Sequence, residues 1–579
     1  MRNWFRDRRG DPSRGIYAPV RTSEKVYEDT TEPTPESLSP TETVFTKFLG
    51  GRLSSDRGAN KRWVLTTMLC GLFAITLGSV IVAVDPYQMI FKMKVVLSDG
   101  AETFMIWKKP DVDLLLKVRL FNVTNAEEFL SGRDKKIKVV EVGPYVYRER
   151  MEHANISFNE NGTISADPLH PLQFAPELSA GKEDDLLILP NIALLSFAEV
   201  KSSSSYFTRV AVNLLFHQTG SKPLVEMTAK EFMFGYKSTL LSLGNKFMPS
   251  WISFDKLGLI DRMYDFNGDT STTYTGIDDL RKAGLLATYN RQTVLPQWEA
   301  PCNNLSLASD GTKFPALIRK DQELLFFRKS LCRSMNLVKI GEEVVDGIHG
   351  YRYTFKNNSL DNGEFDPVNK CFCNKHCLPR GFLDVRRCYY GFPIALSYPH
   401  FLDVSPTVFD KVEGLHPDQA KHSSQFIINE ESGLPLKVSV KMQINMAFGD
   451  LSKMAIVTPF SNMVLPMLWI ELLMPGLPSF ISWRYYFYLT IGPIVQALST
   501  YLLLVGGVAF ILLALASAAL IPRLSVVSSN RGNKQQKTSE PPVLDPSKKR
   551  GPGGSIPTLD NKEMELYYCS LLSVQDPES

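Results

Sequence analysis

The sequence predicts an α+β membrane protein in which two transmembrane helices flank one large domain. Three observations predict this class. An uncharged apolar run lies near each end of the chain, the segment between the runs mixes strand-like and helix-like patterns, and that segment carries clustered cysteines and glycosylation motifs. A chain that enters the membrane twice places everything between its two spans on one side.

The two apolar runs have the length of membrane spans. The first covers residues 63–84, which are 22 residues without a charge, and the second lies at residues 494–521, also without a charge. Because about 20 apolar residues cross the hydrocarbon core of a bilayer, each run is predicted to be a transmembrane helix. Two uncharged helices enclose no polar pore, so the pattern disfavours a channel or transporter.

The tails, residues 1–62 and 522–579, are polar and rich in turn-forming residues, and they are predicted to be disordered. Windows of 16 residues on the tail sides of the two runs hold nine Lys and Arg, against three on the inner sides. Positive charge accumulates on the cytosolic side of membrane spans. Both tails are therefore predicted to be cytosolic, and residues 85–490 to form an ectodomain at the cell surface or in the endosome-lysosome lumen.

The cysteines indicate an oxidising compartment. Six of the eight cysteines fall in residues 85–490, and an even, clustered number there predicts three disulfides. The same segment holds Cys371, Cys373, His376 and Cys377, which is a donor set that can also bind zinc. The non-cytosolic setting favours disulfides over that alternative. The predicted disulfide cysteines are Cys302, Cys332, Cys371, Cys373, Cys377 and Cys388.

Glycosylation motifs support the same orientation. Five N-x-S/T sequences fall between the two spans, and each by itself is a weak signal. The predicted acceptors are Asn122, Asn155, Asn161, Asn304 and Asn357.

The ectodomain pattern predicts both strands and helices. Alternating apolar residues predict strands, and Asn161-Gly162 is typical of a hairpin turn. Helical periodicity is concentrated in residues 180–245, which are interpreted as a helical cap on a β-rich body. The predicted strands are 137–146, a hairpin over 155–166, 351–355 and 436–447, and the predicted helices are 191–200, 206–217 and 229–242.

Composition and motifs narrow the function. Residues 63–521 hold 44 basic and 45 acidic side chains, so nothing predicts general attraction to nucleic acid. The chain has no phosphate-binding loop of the G-x-x-x-x-G-K-[ST] type and no G-x-S-x-G motif. We therefore predict a protein without enzymatic activity, cofactor or metal.

Nine motifs in order resemble the class B scavenger receptor family, which includes the fatty-acid translocase, a lysosomal integral membrane protein and insect sensory neuron membrane proteins. The resemblance covers about residues 60–525. The motifs are FNVTNAEEFL (121–130), VEVGPYVYRE (140–149), CNNLSLASDGTKFPALI (302–318), LCRSMNLV (331–338), CFC (371–373), PHF (399–401), GLHPDQAKH (414–422), SGLPLKV (432–438) and LPMLWIE (465–471).

The resemblance implies more than the patterns do. It implies an antiparallel β-barrel core with a membrane-distal helical bundle, and an apolar tunnel that leads toward the bilayer. It also implies the disulfide pairs Cys302–Cys371, Cys332–Cys388 and Cys373–Cys377. The expected ligands are lipids (fatty acid, sterol, carotenoid or phospholipid) or lipid-bearing particles.

Scavenging members of the family bind anionic particles with a lysine-rich apex. The candidate apex residues of this chain are Lys182, Lys201 and Lys222, but acidic residues lie beside them. This departure puts binding of oxidised lipoprotein in doubt. The apolar residues of the same segment, namely Phe207, Leu214, Leu215, Phe216, Phe232 and Phe234, are expected to form the core of the helical bundle.

The end of the C-terminal tail carries two candidate sorting signals. Tyr568 to Leu571 matches Y-x-x-apolar, and Leu571 and Leu572 form a dileucine. An extended tail can bind a clathrin adaptor through such a motif. Two hypotheses follow: a receptor that takes up or transfers lipid, or an endosomal-lysosomal sorting receptor whose apex helices, chiefly 206–217, bind a soluble lumenal protein.

Overall fold

The computed structural model describes residues 57–247, 256–373 and 377–535. The chain divides into two units, one formed by Gly71–Val508 and the other by the described residues within Met1–Cys70 and Ala509–Ser579. Most of both predicted tails lies outside the described residues. The α-helices are, in chain order, α1 (Arg57–Val84), α2 (Pro86–Val95), α3 (Glu102–Lys108), α4 (Ala126–Leu130), α5 (Ile192–Ser202), α6 (Tyr206–Gln218), α7 (Ala229–Phe234), α8 (Thr239–Phe247), α9 (Leu259–Met263), α10 (Gln419–His422), α11 (Ser479–Tyr486) and α12 (Gly492–Gln535).

The strands lie between α3 and α11. They are, in chain order, β1 (Leu114–Val123), β2 (Ile137–Glu149), β3 (Glu152–Phe158), β4 (Thr163–Leu169), β5 (Leu172–Phe174), β6 (Leu186–Pro190), β7 (Leu224–Thr228), β8 (Tyr236–Lys237), β9 (Lys256–Leu257), β10 (Ser271–Tyr274), β11 (Leu286–Tyr289), β12 (Leu324–Arg328), β13 (Arg333–Val345), β14 (Ile348–Phe355), β15 (Leu383–Asp384), β16 (Ile394–Ser397), β17 (Val412–Glu413), β18 (Gln425–Ile428), β19 (Pro435–Ala447) and β20 (Val464–Met474).

Within the described residues, two helical spans are long and apolar enough to cross a membrane, Asn60–Val95 and Ser479–Leu520. Only 11% and 17% of their most apolar windows are buried, unlike the core helices of a soluble protein. The spans meet at glycines: a Cβ added at Gly507 would lie 2.7 Å from Cγ1 of Ile75 and 2.9 Å from the carbonyl oxygen of Gly71. Small residues of this kind allow close helix approach in membranes.

The largest sheet has twelve strands. Its main path runs β12-β13-β14-β18-β19-β20-β1-β2-β17, and every described pair in it is antiparallel except β2 with β17. A closed barrel requires the two edge strands to pair, and no described pairing joins β12 to β17. The structure therefore shows a large, mainly antiparallel sheet, and it does not show the closed barrel or the tunnel that the resemblance implies.

The central strands of this sheet bury most of their side chains and pair their charges across the ladder. In β20, Glu471 lies opposite Lys117 of β1 and opposite Lys441 of β19. Its carboxylate oxygens lie 3.7 Å and 3.9 Å from the two lysine Nζ atoms. Opposite charges on directly paired residues support a register.

The strand predictions are confirmed. The segments 137–146, 351–355 and 436–447 lie within β2, β14 and β19. The hairpin predicted over 155–166 is formed by β3 and β4, which pair antiparallel on either side of Asn161-Gly162. Gly162 has a φ of 70°, as the turn requires.

Two of the three helix predictions are confirmed, by α5 and α6. The Asn191 side chain caps α5 and the Ser205 side chain caps α6, since each accepts a hydrogen bond from the third residue along. The prediction of one helix over 229–242 is wrong. Gly235, with a φ of 113°, ends α7, and β8 separates it from α8.

Candidate functional site

A cavity of about 380 Å³, here called the juxtamembrane cavity, is lined in part by the ends of both apolar spans that face the sheet-rich body. This volume falls in the range of about 300–1,000 Å³ that is usual for small-molecule sites. Its walls combine residues of α2 and α3, two loops of the sheet-rich body, and α11 with the π-helical turn Phe487–Ile491. The lining residues are Lys94, Val95, Glu102, Thr103, Ile106, Trp107, Thr312, Lys313, Ser432, Leu434, Trp483, Arg484, Tyr485, Phe487, Tyr488 and Leu489.

Most of this lining is apolar or aromatic. Val95 and Leu489 belong to a small hydrophobic cluster that also contains Phe91, Ile348 and Leu436. This cluster packs the ends of both spans against the sheet-rich body. The cavity is therefore a concave, largely apolar site where the body meets the spans.

Charge at the cavity is mainly positive. The carboxylate of Glu102 lies 3.2 Å from Nζ of Lys94 and 2.8 Å from a guanidinium nitrogen of Arg484. The third cation in the lining is Lys313, and Glu102 is the single carboxylate among the described lining residues. An anionic group entering the cavity would therefore meet excess positive charge.

Lys313 is buried, with 4% of its surface exposed. Its Nζ donates to the carbonyl oxygens of Ser432 (2.8 Å) and Phe314 (3.3 Å). Burial lowers the pKa of Lys313 to about 7, because an ammonium loses its hydration in the interior. The sequence did not single out this lysine, since nothing in GTKFP distinguishes a buried lysine from an exposed one after the Asp310-Gly311 turn.

The helical segment, defined here as residues 186–247, has a different surface. On α6 the exposed fractions are 67% for Tyr206, 81% for Phe207 and 55% for Leu214, and Val210 is 47% exposed. The expectation that Phe207 and Leu214 lie in the core is therefore wrong. Both lie at positions where α6 turns away from its neighbours, and periodicity alone does not say which apolar residues of a helix are covered.

The other aromatic and leucine residues of this group pack inward. Phe216 and Phe232 are fully buried in the main hydrophobic core, and Leu215 and Phe234 are partly buried against it. The α6 helix thus has one apolar face in the core and a second one, formed by Tyr206, Phe207, Val210 and Leu214, in solvent.

The structure does not bring all candidate lysines together. Strands β6 and β7 pair antiparallel, with Leu186 opposite Thr228 and Pro190 opposite Leu224. Lys182 precedes β6 and Lys222 precedes β7, so they lie at opposite ends of a five-residue ladder, about 16 Å long at 3.3 Å per residue. Lys182 and Lys222 are exposed and Lys201 is half-buried in the last turn of α5.

Comparison with known proteins identifies the family. The family model described as "CD36 family" matches residues 67–518. The chain belongs to the CD36 family. It is 32% identical over 418 residues to "Scavenger receptor class B member 1" of Cricetulus griseus, covering 71% of this chain and 81% of that protein. It is 33% identical over 383 residues to "Lysosome membrane protein 2" of Homo sapiens, covering 65% of this chain and 78% of that protein.

Membership of the CD36 family confirms the resemblance to class B scavenger receptors. The match extends from within the first apolar span to within the second, and so includes the whole sheet-rich body. Together with the two exposed apolar helices, it identifies the chain as a receptor-like integral membrane protein.

Three disulfides lie in the body of this CD36-family chain. They join Cys302 to Cys371, Cys332 to Cys388, and Cys373 to Cys377, which are the pairs that the resemblance implies. His376 of the alternative zinc set lies outside the described residues, and the three thiols of that set are in disulfides. Cys70 is free and exposed.

The five sequon asparagines differ in accessibility. Asn155, Asn161, Asn304 and Asn357 are exposed. The Asn161 Oδ1 atom accepts a hydrogen bond from the Thr163 hydroxyl (2.6 Å) within its own sequon. Asn122 is half-buried in β1, and its Oδ1 accepts from the backbone N–H of Ile188 (2.9 Å). The candidate sorting residues Tyr568, Leu571 and Leu572 lie outside the described residues.

Proposed function

We propose that this protein is a non-enzymatic receptor that binds lipid or lipid-bearing ligands and passes lipid to or from the bilayer through an apolar passage in the body. The passage, and closure of the main sheet around it, are part of the proposal. Support comes from the family, whose matched member is named a scavenger receptor, and from the juxtamembrane cavity.

The physical advantage of such a passage is large. Exposing an acyl chain or a sterol to water costs about 0.8 kcal/mol for each CH₂ group. A sheltered path removes this barrier, and a lipid that moves down its own gradient needs no ATP. The observation that carries the proposal is a cavity with mostly apolar walls located where the body meets both spans, where a lipid would pass between protein and membrane.

Blocking the cavity tests the proposal. Ile106 lines the cavity from α3, whereas the adjacent Met105 is 57% exposed and does not line it. We expect Ile106→Trp to remove most lipid uptake by cells that express the full-length chain. The matched variant Met105→Trp keeps uptake near the parent level. Equal uptake by the two variants, with similar melting temperatures, would contradict the proposal.

The topology is a second part of the proposal. We place both tails in the cytosol and the body outside it, at the plasma membrane or in the endosome-lysosome system, as expected from the charge bias and the sequons. The exposed Asn161, at a hairpin turn, is a favourable glycan acceptor. Glycosidase treatment should increase the gel mobility of the parent by more than that of Asn161→Gln. An unglycosylated body would contradict this topology.

The exposed face of α6 favours a second candidate function, the sorting receptor. Apolar side chains exposed in a cluster are typical of protein interaction sites, and Phe207 is 81% exposed. A soluble lumenal protein would bind here, and Tyr568 with Leu571 or Leu572 would direct traffic through an adaptor. The relative named a lysosome membrane protein is consistent with that route.

The two functions separate experimentally. Phe207→Ser should abolish a stoichiometric protein complex and leave lipid uptake unchanged, whereas Ile106→Trp should do the reverse. The matched control is Val344→Ser, since Val344 is 62% exposed on β13, outside both sites. If Phe207→Ser and Val344→Ser retained the same partners, α6 would not be the docking face.

A further inference from the structure

Two buried histidines stack on each other beside the main sheet. His400 and His422 are 6% and 5% exposed, and their rings lie with centroids 4.5 Å apart and an interplanar angle of 7°. They belong to PHF (399–401) and GLHPDQAKH (414–422), two motifs that the proposed function does not use. Histidine is the side chain whose charge ordinarily changes between pH 5 and pH 8. Two histidines in contact in the interior therefore form a candidate pH-sensitive element.

Each of the two rings accepts a backbone hydrogen bond from the same loop. The N–H of His416 donates to Nδ1 of His400 (3.1 Å), and the N–H of Asp418 donates to Nδ1 of His422 (3.0 Å). A ring nitrogen that accepts a hydrogen bond carries no proton, so both imidazoles are neutral in this arrangement. An imidazolium has two donors and no acceptor. Protonation of either ring therefore breaks one of these two bonds.

The loop belongs to a segment that we call the strap, residues 414–422. Near its start, Leu415 packs in the main hydrophobic core. The side chains of residues 416–421 are exposed or half-buried. Beyond Leu415, the strap is therefore fixed to the body mainly by the N–H of His416 and by the buried ring of His422. A segment with few buried apolar contacts can open while the rest of a protein stays folded.

The two histidines differ in their charged neighbours. His400 has a carboxylate partner, because its Nε2–H donates to Glu141 of β2 (2.6 Å). The same carboxylate accepts from the indole N–H of Trp469 (2.8 Å), and its other oxygen lies 3.5 Å from Nε of Arg119. Among the described ion pairs, one includes His400 and none includes His422. A proton on His422 therefore has no ion-pair partner within the described part of the chain.

The charged groups around His422 do not compensate for its burial. Burial and the adjacent His400 lower the pKa of His422 to about 4. Glu141 and Asp418 favour the protonated ring less strongly, and Lys441 of β19 disfavours it. The protonated ring is therefore more stable in water than in the stack.

We propose that the strap is an acid-released closure, in which protonation of His422 frees residues 414–422 from the sheet while the rest of the body stays folded. Release uncovers His400 and also Trp469, whose ring centroid lies 5.7 Å from that of His422. The closure would act in an acidic lumen, which the proposed topology allows. This inference goes beyond lipid transfer and does not depend on it.

The sign of the pH effect follows from the two states of His422. In the open strap the ring is in water and has the ordinary pKa of about 6.5, whereas in the closed strap its pKa is about 4. Between these two values the open form binds a proton that the closed form does not, so opening becomes more favourable as the pH falls. The open population should rise roughly 30-fold between pH 8 and pH 5.

Hydrogen–deuterium exchange of the full-length chain in phosphatidylcholine nanodiscs tests the strap, with rates corrected for the intrinsic pH dependence of exchange. The amides of His416, Asp418 and His422 are hydrogen-bonded in the closed form. We expect their protection to fall roughly 30-fold between pH 8 and pH 5, while β19 and β20 keep theirs. Constant protection of the strap, or an equal loss across the whole body, would overturn the proposal.

Two substitutions at His422 separate titration from packing. His422→Asn supplies an amide oxygen as acceptor and does not titrate, so we expect the strap to be protected equally at pH 8 and pH 5. His422→Phe keeps an aromatic ring without an acceptor, so protection should be lower than in the parent at pH 8 and should not change with pH. If His422→Asn showed the same loss at pH 5 as the parent, another group would be the sensor and the proposal would be overturned.

A matched control is His217→Asn, because His217 is exposed in the last turn of α6. We expect this variant to keep the roughly 30-fold response of the parent strap. If His217→Asn abolished the response as His422→Asn is expected to do, the response would not come from the stacked pair, and the proposal would be overturned.

Discussion

The juxtamembrane cavity and the helical segment depart from ordinary globular packing in opposite ways. The cavity buries polar groups, including Lys313 and the indole N–H of Trp107, whereas α6 exposes the apolar side chains of Phe207 and Leu214. Ordinary interiors are apolar, and a buried polar group costs free energy unless it is paired. An exposed apolar side chain costs much less. The difference indicates that mutations in the cavity should change both stability and function, and mutations on the exposed face should change function alone.

The largest expected effect is the difference in stability between substitutions on the buried and the exposed face of α6. Phe216 is fully buried and Phe207 is 81% exposed. We expect Phe216→Ala to reduce the free energy of unfolding by about 3–5 kcal/mol, because it leaves a cavity in the core. Phe207→Ala should change it by no more than about 0.5 kcal/mol. Thermal melting of the two purified variants measures the difference in stability. Similar melting temperatures would show that one face of α6 is not buried and the other exposed.

The second prediction concerns Lys313 and pH. Its pKa of about 7 lies below the ordinary lysine value, so between about pH 7 and pH 10 the unfolded chain binds a proton that the folded chain does not. Stability therefore rises with pH across that window, and the cost of the buried group is fully present below it. Lys313→Met should raise the melting temperature at pH 6, because it removes the cost of burying an ammonium group.

The advantage of Lys313→Met should shrink as pH rises toward 10, which a series of melts checks. A matched control is Lys222→Met, because Lys222 is exposed. Equal pH dependence in the parent and Lys313→Met would show that this lysine is not buried as described.

The third prediction, with the smallest expected effect, concerns Gly235, the residue at which α7 ends. A Cβ at Gly235 would lie 2.9 Å from Cβ of Lys256, and the φ of 113° disfavours any other residue. We expect Gly235→Ala to cost about 1–3 kcal/mol. Gly476→Ala is the control, since the added Cβ meets no atom within 4 Å and the backbone there is not left-handed. If Gly235→Ala were as mild as the control, α7 and α8 would tolerate a continuous helix.

Local pattern was sufficient for most elements. Alternation predicted β19 to within one residue at its start, and helical spacing predicted α6 to within one residue at its end. The prediction of one continuous helix was wrong at Gly235. A single glycine within helical spacing is compatible with a helix, and only its φ in the structure shows that the helix ends there. Local pattern also failed for Phe207, since helical spacing does not reveal which of two apolar faces a neighbour covers.

The candidate site was much less predictable. Its lining includes Trp107, Lys313 and Tyr488, which are far apart in the chain and belong to no common motif. Only the packing of α3, the loop after Asp310-Gly311 and the turn beyond α11 brings them to one cavity. Burial depends on that packing. The sequence therefore could not predict the unpaired N–H of Trp107 or the lowered pKa of Lys313.

The sequence by itself determined the two apolar spans, the mixed α and β character of the body, most strand positions and the family, because each depends on composition or on short-range periodicity. The tertiary structure alone decided that the main sheet is not closed by the described pairings, that Lys182 and Lys222 lie at opposite ends of a ladder, and that α6 exposes an apolar face. These outcomes depend on which surfaces meet across long sequence separations, and no local pattern encodes that.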